Sequence, residues 1–345
     1  MLWFHYKLNK NELRVTMNLI GRDKEIKLLT QLYNSTSPEF LALYGRRRVG
    51  KTFLIRECFN KRGDGIFFNV TGAKNAPMKE QIKHFTSQLS DAFYSGIELK
   101  ERKNWDETFD QLTKTIKKQV PKNKKVVLFF DELPWMATPR SRLLEMLDYY
   151  WNQHWSQDKR IKLIICGSSA SWIINKVIHN RGGLHNRVTR EIHLEPFNLS
   201  QTKQFLQARK IKLNDRQILQ LYMVTGGVPF YLTKIDKGLS ATQIIESLAF
   251  SKTGFFLDQR DNRNLLTRYV ANKSVLNAFC YSGGFSIYAL NAGAKLVHSV
   301  DISEKAIDLT NENVALNTAG AGDHEAYAMD VSKFSQESPT EYEVM

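Results

Sequence analysis

The sequence has few cysteines and no long apolar run. Three cysteines occur in 345 residues, and Cys58, Cys166 and Cys280 lie far apart without metal-ligand spacing. A disulfide framework is therefore not expected, and each cysteine is predicted to be a reduced apolar filler. The absence of about 18 consecutive apolar residues argues against a membrane-spanning helix. The N-terminus lacks an apolar core followed by a small-residue cleavage site, so we expect a cytoplasmic protein without a membrane partner.

Charge is abundant but unevenly distributed. The net charge is +14, yet residues 252–345 contain eight Lys+Arg and twelve Asp+Glu, a net of −4, which leaves +18 on the remainder. A basic body could attract nucleic acid or another polyanion, and a solvated basic surface explains the same composition equally well. The asymmetry favours a domain boundary near residue 251. Because 345 residues exceed what one core usually organises, two domains are expected.

From residue 19 onward, short apolar runs alternate with amphipathic stretches, which indicates a parallel sheet with crossover helices. The predicted strands of this first unit are residues 40–44, 65–70, 126–130, 161–166 and 191–194. A small helical bundle follows. The strands of a second doubly wound unit are predicted at 275–279, 296–300 and 325–329. The resulting domains are an N-terminal extension, a first α/β core, a helical lid and a partial second α/β unit, at residues 1–17, 18–198, 199–251 and 252–345.

Residues 45–52 read GRRRVGKT, a full match to the phosphate-loop pattern G-x-x-x-x-G-K-[ST] between a predicted strand and a predicted helix. Glycines at both ends let backbone N–H groups wrap a phosphate. Lys51 would reach the β- and γ-phosphates, and Thr52 would place its hydroxyl on magnesium. The residues predicted to bind ATP are Gly45, Arg46, Arg47, Arg48, Val49, Gly50, Lys51 and Thr52.

Two carboxylates, Asp131 and Glu132, follow the apolar strand VVLFF. At the carboxyl end of a parallel strand, Asp131 can hold magnesium, and Glu132 can orient and deprotonate an attacking water. Acidic residues that merely cap a loop are the alternative. Ser168 follows the next strand and suits contact with the γ-phosphate or the water, although Gly-Ser-Ser is also ordinary turn composition.

A transition-state arginine could come from the segment HNRGGLHNRVTR, where Arg181 and Arg187 flank a Gly-Gly bend. Arginines presented on exposed loops serve as fingers in phosphoryl transfer. Solvated surface arginines are an equally good interpretation. The three arginines of the phosphate loop, Arg46, Arg47 and Arg48, either touch the nucleotide or face outward.

The order and spacing of six motifs resemble the AAA-type ATPases with an archaeal-ATPase-like core, over about residues 18–251. The motifs are IGRDKEIKLL, YGRRRVGKT, FFDELPWM, CGSSASWI, NRVTREIHLEPF and TGGVPFYL. The resemblance implies a P-loop NTPase parallel sheet with a helical lid that contains Gly227 and Pro229. It also implies that Arg187 is the better finger candidate, and self-association could place this arginine in trans.

The C-terminal segment resembles a different family, the class I S-adenosylmethionine-dependent methyltransferases that modify large-subunit ribosomal RNA at cytosine C5. The resembling stretches are KTGFFLDQRDNR, VLNAFCYSGGFSIYALNAGAKLVHSVDIS and NVALN. Gly283 would permit close approach of the cofactor, Asp301 would accept the ribose hydroxyls, and Asp330 would take the adenine amino group. The resemblance places Asp258 and Arg260 at the methionine end. Phe279 and Tyr281 complete the predicted cofactor set.

Several features of that methyltransferase family are missing. The RNA-binding module, the Asp-Pro-Pro motif and the later cysteine nucleophile do not occur, and Cys280 lies in the cofactor loop, where we expect it to pack. Residues 252–345 are therefore predicted to form an incomplete Rossmann-like methyltransferase sheet. Its last strand should be an unpaired, apolar edge. S-adenosylmethionine could bind there, but methyl transfer is not expected.

The leading functional expectation is an ATP-dependent switch or motor that hydrolyses ATP with magnesium. One alternative is an S-adenosylmethionine-dependent RNA methyltransferase fused to an ATPase. Another is a nucleotide-gated scaffold with little turnover. Retention of Lys51, Asp131 and Glu132 favours hydrolysis over the scaffold.

Overall fold

The computed structural model describes residues 19–60, 62–179, 184, 186–250, 260–318 and 322–345. The chain divides after Pro196 into two compact units. Within the described ranges, no helix is long and apolar enough to cross a membrane. The three cysteines are free and buried, and burial raises the pKa of Cys58 and of Cys280 to about 12. Both thiols are therefore protonated packing groups, as predicted.

The first unit is built on a five-stranded parallel sheet, which confirms the predicted α/β class. Its strands are β1 (Glu39–Tyr44), β2 (Gly65–Thr71), β3 (Lys125–Asp131), β4 (Ile161–Gly167) and β5 (Arg190–His193). Their spatial order is β2-β3-β4-β1-β5. This order places the end of β4 between the ends of β1 and β3, so loops that are distant in sequence meet at one edge.

Helices cover both faces of this sheet. They are α1 (Asp23–Asn34), α2 (Lys51–Phe59), α3 (Met78–Tyr94), α4 (Trp105–Gln119), α5 (Leu133–Met136), α6 (Leu143–Gln153) and α7 (Ala170–Ile173). The strands read as continuous apolar runs because both of their faces are buried. In β3, for example, Leu128 and Phe130 face one core, whereas Val127 and Phe129 face the other. Each buried aromatic or aliphatic side chain contributes roughly 1.5–3 kcal/mol.

The second unit begins with a bundle of helices, α8 (Leu199–Ala208), α9 (Asp215–Thr225), α10 (Pro229–Leu232) and α11 (Ala241–Phe250). We call α8–α11 the lid. Asn198 and Asn214 cap α8 and α9 with reciprocal hydrogen bonds to Gln201 and Gln217, which satisfies otherwise unpaired N–H groups. Gly227 has φ +66°, and a Cβ there would lie 1.9 Å from the Phe197 carbonyl oxygen. Only glycine fits this turn.

The second sheet has three parallel strands, β6 (Ser274–Ala278), β7 (Leu296–Asp301) and β8 (Asp323–Ala328), in that spatial order. Its helices are α12 (Arg260–Leu266), α13 (Gly284–Asn291), α14 (Glu304–Asn317) and α15 (Val331–Glu337). The predicted three-strand unit is confirmed, with β8 starting two residues earlier than expected. The expected apolar edge is wrong, because β8 reads DHEAYA and is largely exposed or half-buried. Polar side chains make an edge strand less prone to pair with other chains.

Candidate functional site

The loop after β1 has the backbone that the glycine pattern predicts. Gly45, Arg48 and Gly50 all have positive φ, at +149°, +68° and +95°, and α2 starts directly after Gly50. A Cβ on Gly45 would lie 2.3 Å from the carbonyl oxygen of Leu194. Glycine is therefore required at position 45 by close approach to the chain that leaves β5, as well as by φ.

Lys51 folds back into this loop and is only 6% exposed. Its Nζ donates hydrogen bonds of 2.8 Å to the carbonyl oxygens of Gly45 and Arg46. Burial lowers the pKa of Lys51, partly offset by the nearby Cys166, Glu132 and Asp131. Both hydrogen-bond acceptors are neutral, so this buried cation would gain strongly from an anion bound in the loop.

A short hydrogen bond joins α2 to the end of β3. Thr52 Oγ1 donates to Asp131 Oδ2 over 2.7 Å, and the Glu132 N–H donates to Asp131 Oδ1 over 3.1 Å. Asp131 is 2% exposed. A hydroxyl and a carboxylate side by side next to a phosphate loop are the oxygen ligands that magnesium prefers. These two residues can hold the ion.

Glu132 has a left-handed backbone, with φ 48° and ψ 48°, which is strained for a residue with a side chain and is typical of functional sites. Its carboxylate Oε2 accepts hydrogen bonds of 3.0 Å from both the N–H and the Oγ of Ser168. The neighbouring strands β3 and β4 thus bring together the two predicted residues. The carboxylate is positioned as a hydrogen-bond acceptor next to the loop.

Arg47 extends from the phosphate loop toward the same pair. Its Nε lies 3.5 Å from Ser168 Oγ, and its guanidinium lies 5.6 Å from the centroid of the Trp135 ring. A guanidinium near an aromatic face gains a modest attraction. Arg47, although exposed like Arg48, is therefore directed toward Ser168 and Trp135 across the site.

The second sheet places its predicted residues at the carboxyl ends of its strands. Asp301 is buried, and its Oδ2 and Oδ1 accept hydrogen bonds from the N–H groups of Tyr281 at 3.0 Å and Ser303 at 3.1 Å. Phe279 and Tyr281 have positive φ. A Cβ on Gly283 would lie 2.8 Å from Thr310 Cγ2, so this glycine permits helix packing.

Asp330 caps α15 by accepting hydrogen bonds from the N–H groups of Ser332 and Lys333. It also pairs with Arg216 of α9 at 2.9 Å. Phe279, Asp301 and Asp330 share a cavity of only about 20 Å3. Asp258 lies outside the described residues, and of Arg260 only the backbone is described.

A family model described as an ATPase domain predominantly from Archaea matches residues 19–235. The chain belongs to this ATPase family. A second model, described as an S-adenosylmethionine-dependent methyltransferase, matches residues 234–334. Both resemblances that the motifs indicated are confirmed.

Individual proteins match either part of the chain. A ribosomal RNA large subunit methyltransferase I from Aeromonas hydrophila is 48% identical over 115 residues, 33% of this chain and 29% of that protein. The chain thus spans less than a third of the length of the curated relatives it matches. A Walker-type ATPase of Pyrococcus abyssi is 19% identical, with a TM-score of 0.46, and the match covers 73% of this chain and 74% of that one. A putative methyltransferase structure from Streptococcus mutans is 36% identical with a TM-score of 0.23, over 24% of this chain and 22% of that one.

Arg187 is not brought to the phosphate loop of this ATPase domain by any described contact. Its backbone N–H donates to the Leu184 carbonyl over 3.0 Å, and its side chain is exposed. Arg181 lies outside the described residues. Arg187 is therefore available to a second molecule, and its role stays a prediction.

Sequence reasoning missed Arg22, which anchors the phosphate loop of the ATPase domain. Arg22 is 5% exposed, and its Nη2 donates to the carbonyl oxygens of Val49 at 3.1 Å and Glu195 at 2.8 Å. Burial lowers its pKa, whereas the neighbouring Glu25 raises it. The only sequence signal is a Gly-Arg pair before the first helix, since its acceptors lie 27 and 173 residues away.

Replacing Arg22 with alanine should loosen the loop without removing any predicted nucleotide contact. Two carbonyl groups lose their donor, so we expect Arg22→Ala to lower the free energy of unfolding by about 1–3 kcal/mol. It should also weaken binding of a non-hydrolysable ATP analogue. Urea denaturation and analogue titration measure the two effects. Lys27→Ala, an exposed change on the helix that Arg22 precedes, is the control, and equal behaviour of the two variants would contradict the anchoring role.

Proposed function

We propose that the ATPase domain binds ATP with magnesium and hydrolyses it, so that it works as a switch or motor. The observation that carries this proposal is the meeting of three features at one sheet edge. They are the buried Lys51, the bonded Thr52–Asp131 pair and the Glu132–Ser168 pair. These three features correspond to three tasks in phosphoryl transfer, namely phosphate binding, metal binding and positioning of the attacking water.

The residues present fit the triphosphate. The backbone N–H groups of Gly45–Thr52 and the positive end of α2 would surround the phosphates, and Lys51 would exchange carbonyl acceptors for phosphate oxygens. Thr52 and Asp131 would hold magnesium, which neutralises charge on the phosphates when bound. The buried Lys51, whose pKa is lowered by burial, supports this assignment because an anion would compensate its desolvation.

Glu132 would act as the general base, with Ser168 as the residue that positions it. A carboxylate is an acceptor that can take a proton from water, and its two hydrogen bonds to Ser168 fix its direction. General-base contributions are typically 10²–10⁴-fold. Without Ser168, which follows β4, the Glu132 side chain would have several rotamers, so Ser168 should affect turnover more than binding.

Substitutions at Lys51 and Glu132 should separate binding from turnover. Lys51→Ala should weaken ATP binding, because it removes the cation of the loop. Glu132→Gln should keep ATP bound and lower kcat by roughly 10²–10⁴-fold, because an amide cannot accept the proton. Equilibrium binding of ATP measures the first effect, and steady-state phosphate release measures the turnover.

The exposed Glu80→Gln change on α3 serves as the control for loss of a single carboxylate. Undiminished turnover of Glu132→Gln would remove Glu132 from the mechanism. A native protein that binds ATP without turnover would instead support the nucleotide-gated scaffold.

Two arginines are candidates for the transition-state finger. One would act on a second molecule, and the other would act within its own chain. Arg187 is exposed and would act in trans after self-association, whereas Arg47 already lies beside Ser168 in the same chain. If Arg187 is the finger, specific activity should rise with protein concentration, and Arg187→Ala should lower kcat by about 10³-fold or more. Activity that is independent of concentration, and lost in Arg47→Ala instead, would assign the role to Arg47 in cis.

Nucleic acid is the partner that the charge favours. The chain carries +18 outside residues 252–345, and the relatives of its C-terminal part are named for ribosomal RNA. If the basic residues neutralise six to ten phosphates, affinity for RNA should fall by about 10³–10⁵-fold between 50 and 200 mM salt. Filter binding across that range tests this. Undetectable binding at about 50 mM salt would eliminate the nucleic-acid partner.

Methyl transfer to RNA is the second candidate function, favoured by the match over residues 234–334. The cavity beside Asp301 is too small for S-adenosylmethionine. Ligand sites measure roughly 300–1,000 Å3, against about 20 Å3 here. We therefore assign no reaction step to this edge.

A further inference from the structure

The carboxyl edge of the second sheet is where a ligand would be expected. In open α/β sheets, ligands bind in the crevice beyond the carboxyl ends of the strands. Phe279 follows β6, Asp301 is the last residue of β7, and Asp330 follows β8. Asp301 is already held by the N–H groups of Tyr281 and Ser303. These residues therefore form one wall of a crevice.

The space in front of that wall is filled by the lid helices of the same unit. Gln220 of α9 and Ile245 of α11 line the cavity together with Phe279 and Ile302. What remains is about 20 Å3, close to the roughly 10–15 Å3 that one water needs. The crevice is thus closed by side chains of the lid.

Polar and apolar contacts fix the lid at this edge. Arg216 Nη2 lies 3.0 and 2.9 Å from the two carboxylate oxygens of Asp330, and 3.2 Å from Ser332 Oγ. Tyr281 packs against the cluster of Val228 and Tyr231. Arg216 is exposed, and exposed ion pairs contribute little, so this pair orients the lid more than it holds it.

We propose that this edge is a docking surface for the lid of the same chain, and that lid docking and S-adenosylmethionine binding exclude each other. The same carboxylate, Asp330, is the partner of Arg216 and the predicted contact of the adenine amino group. Gln220 lines the cavity in which the cofactor would have to lie. The proposal does not rest on ATP hydrolysis, so its test is independent of the ATPase variants.

The test measures binding of S-adenosylhomocysteine to the full chain by calorimetry. Arg216→Glu places a like charge opposite Asp330, so repulsion replaces the ion pair and should weaken lid docking. We expect affinity to rise by roughly 2–30-fold, because the loss of an exposed ion pair and a new like-charge contact each have a small effect. Hydrogen exchange at residues 215–225 and 296–303 should become faster in the same variant. Lys212→Glu, an equal charge change at an exposed position before α9, should leave both measurements unchanged.

Three results would overturn the proposal. The first is tight binding to the native chain that Arg216→Glu does not improve. The second is faster exchange in Arg216→Glu without any gain in S-adenosylhomocysteine affinity, since the lid would then not be what excludes the cofactor. The third is unchanged exchange in Arg216→Glu, because a like charge opposite Asp330 would then not disturb the lid at this edge.

Discussion

Everything at the first sheet edge depends on keeping the Lys51 cation out of water. The loop achieves this by turning its own carbonyl groups inward, which requires that both ends of the loop be fixed. The chain that leaves β5 fixes them. Leu194 donates its N–H to the Tyr44 carbonyl over 2.8 Å and approaches Gly45, while Arg22 joins the Val49 and Glu195 carbonyls. The chain segment after β5, although far away in sequence, therefore helps to hold the phosphate loop in place.

The strand order determines which residues can cooperate. Because β4 lies between β1 and β3, the residue that follows β4 reaches both neighbours. Ser168 contacts Glu132 on one side, and Arg47 of the loop approaches it on the other. Had β3 been adjacent to β1, the carboxylate would face the loop without an intervening hydroxyl. The topology thus supplies a positioning residue.

The first sheet, the phosphate loop and the acidic pair could be predicted because their signals are local: continuous apolar strands and a fixed glycine spacing. Contacts between residues that lie far apart in the sequence could not be predicted. Arg22 donates to a carbonyl 173 residues away, and any residue at position 195 would offer that acceptor. The left-handed backbone of Glu132 also leaves no trace in composition, since glutamate rarely adopts it. The expected apolar edge was wrong because β8 begins at Asp323, so the polar residues Asp323 and His324 belong to the strand.

The two family matches meet within the lid. The ATPase family match ends at residue 235 and the methyltransferase match begins at residue 234, yet α11 does not pack as part of the second sheet. Ala241, Ile244 and Leu248 of α11 lie in the lid core, while Ile245 both packs on that core and lines the cavity beside Asp301. Because well-packed interiors transmit displacement rather than absorb it, α11 cannot shift within the lid without moving a wall of that cavity. A sequence boundary drawn at residue 235 therefore divides the lid core, which contains residues on both sides of it.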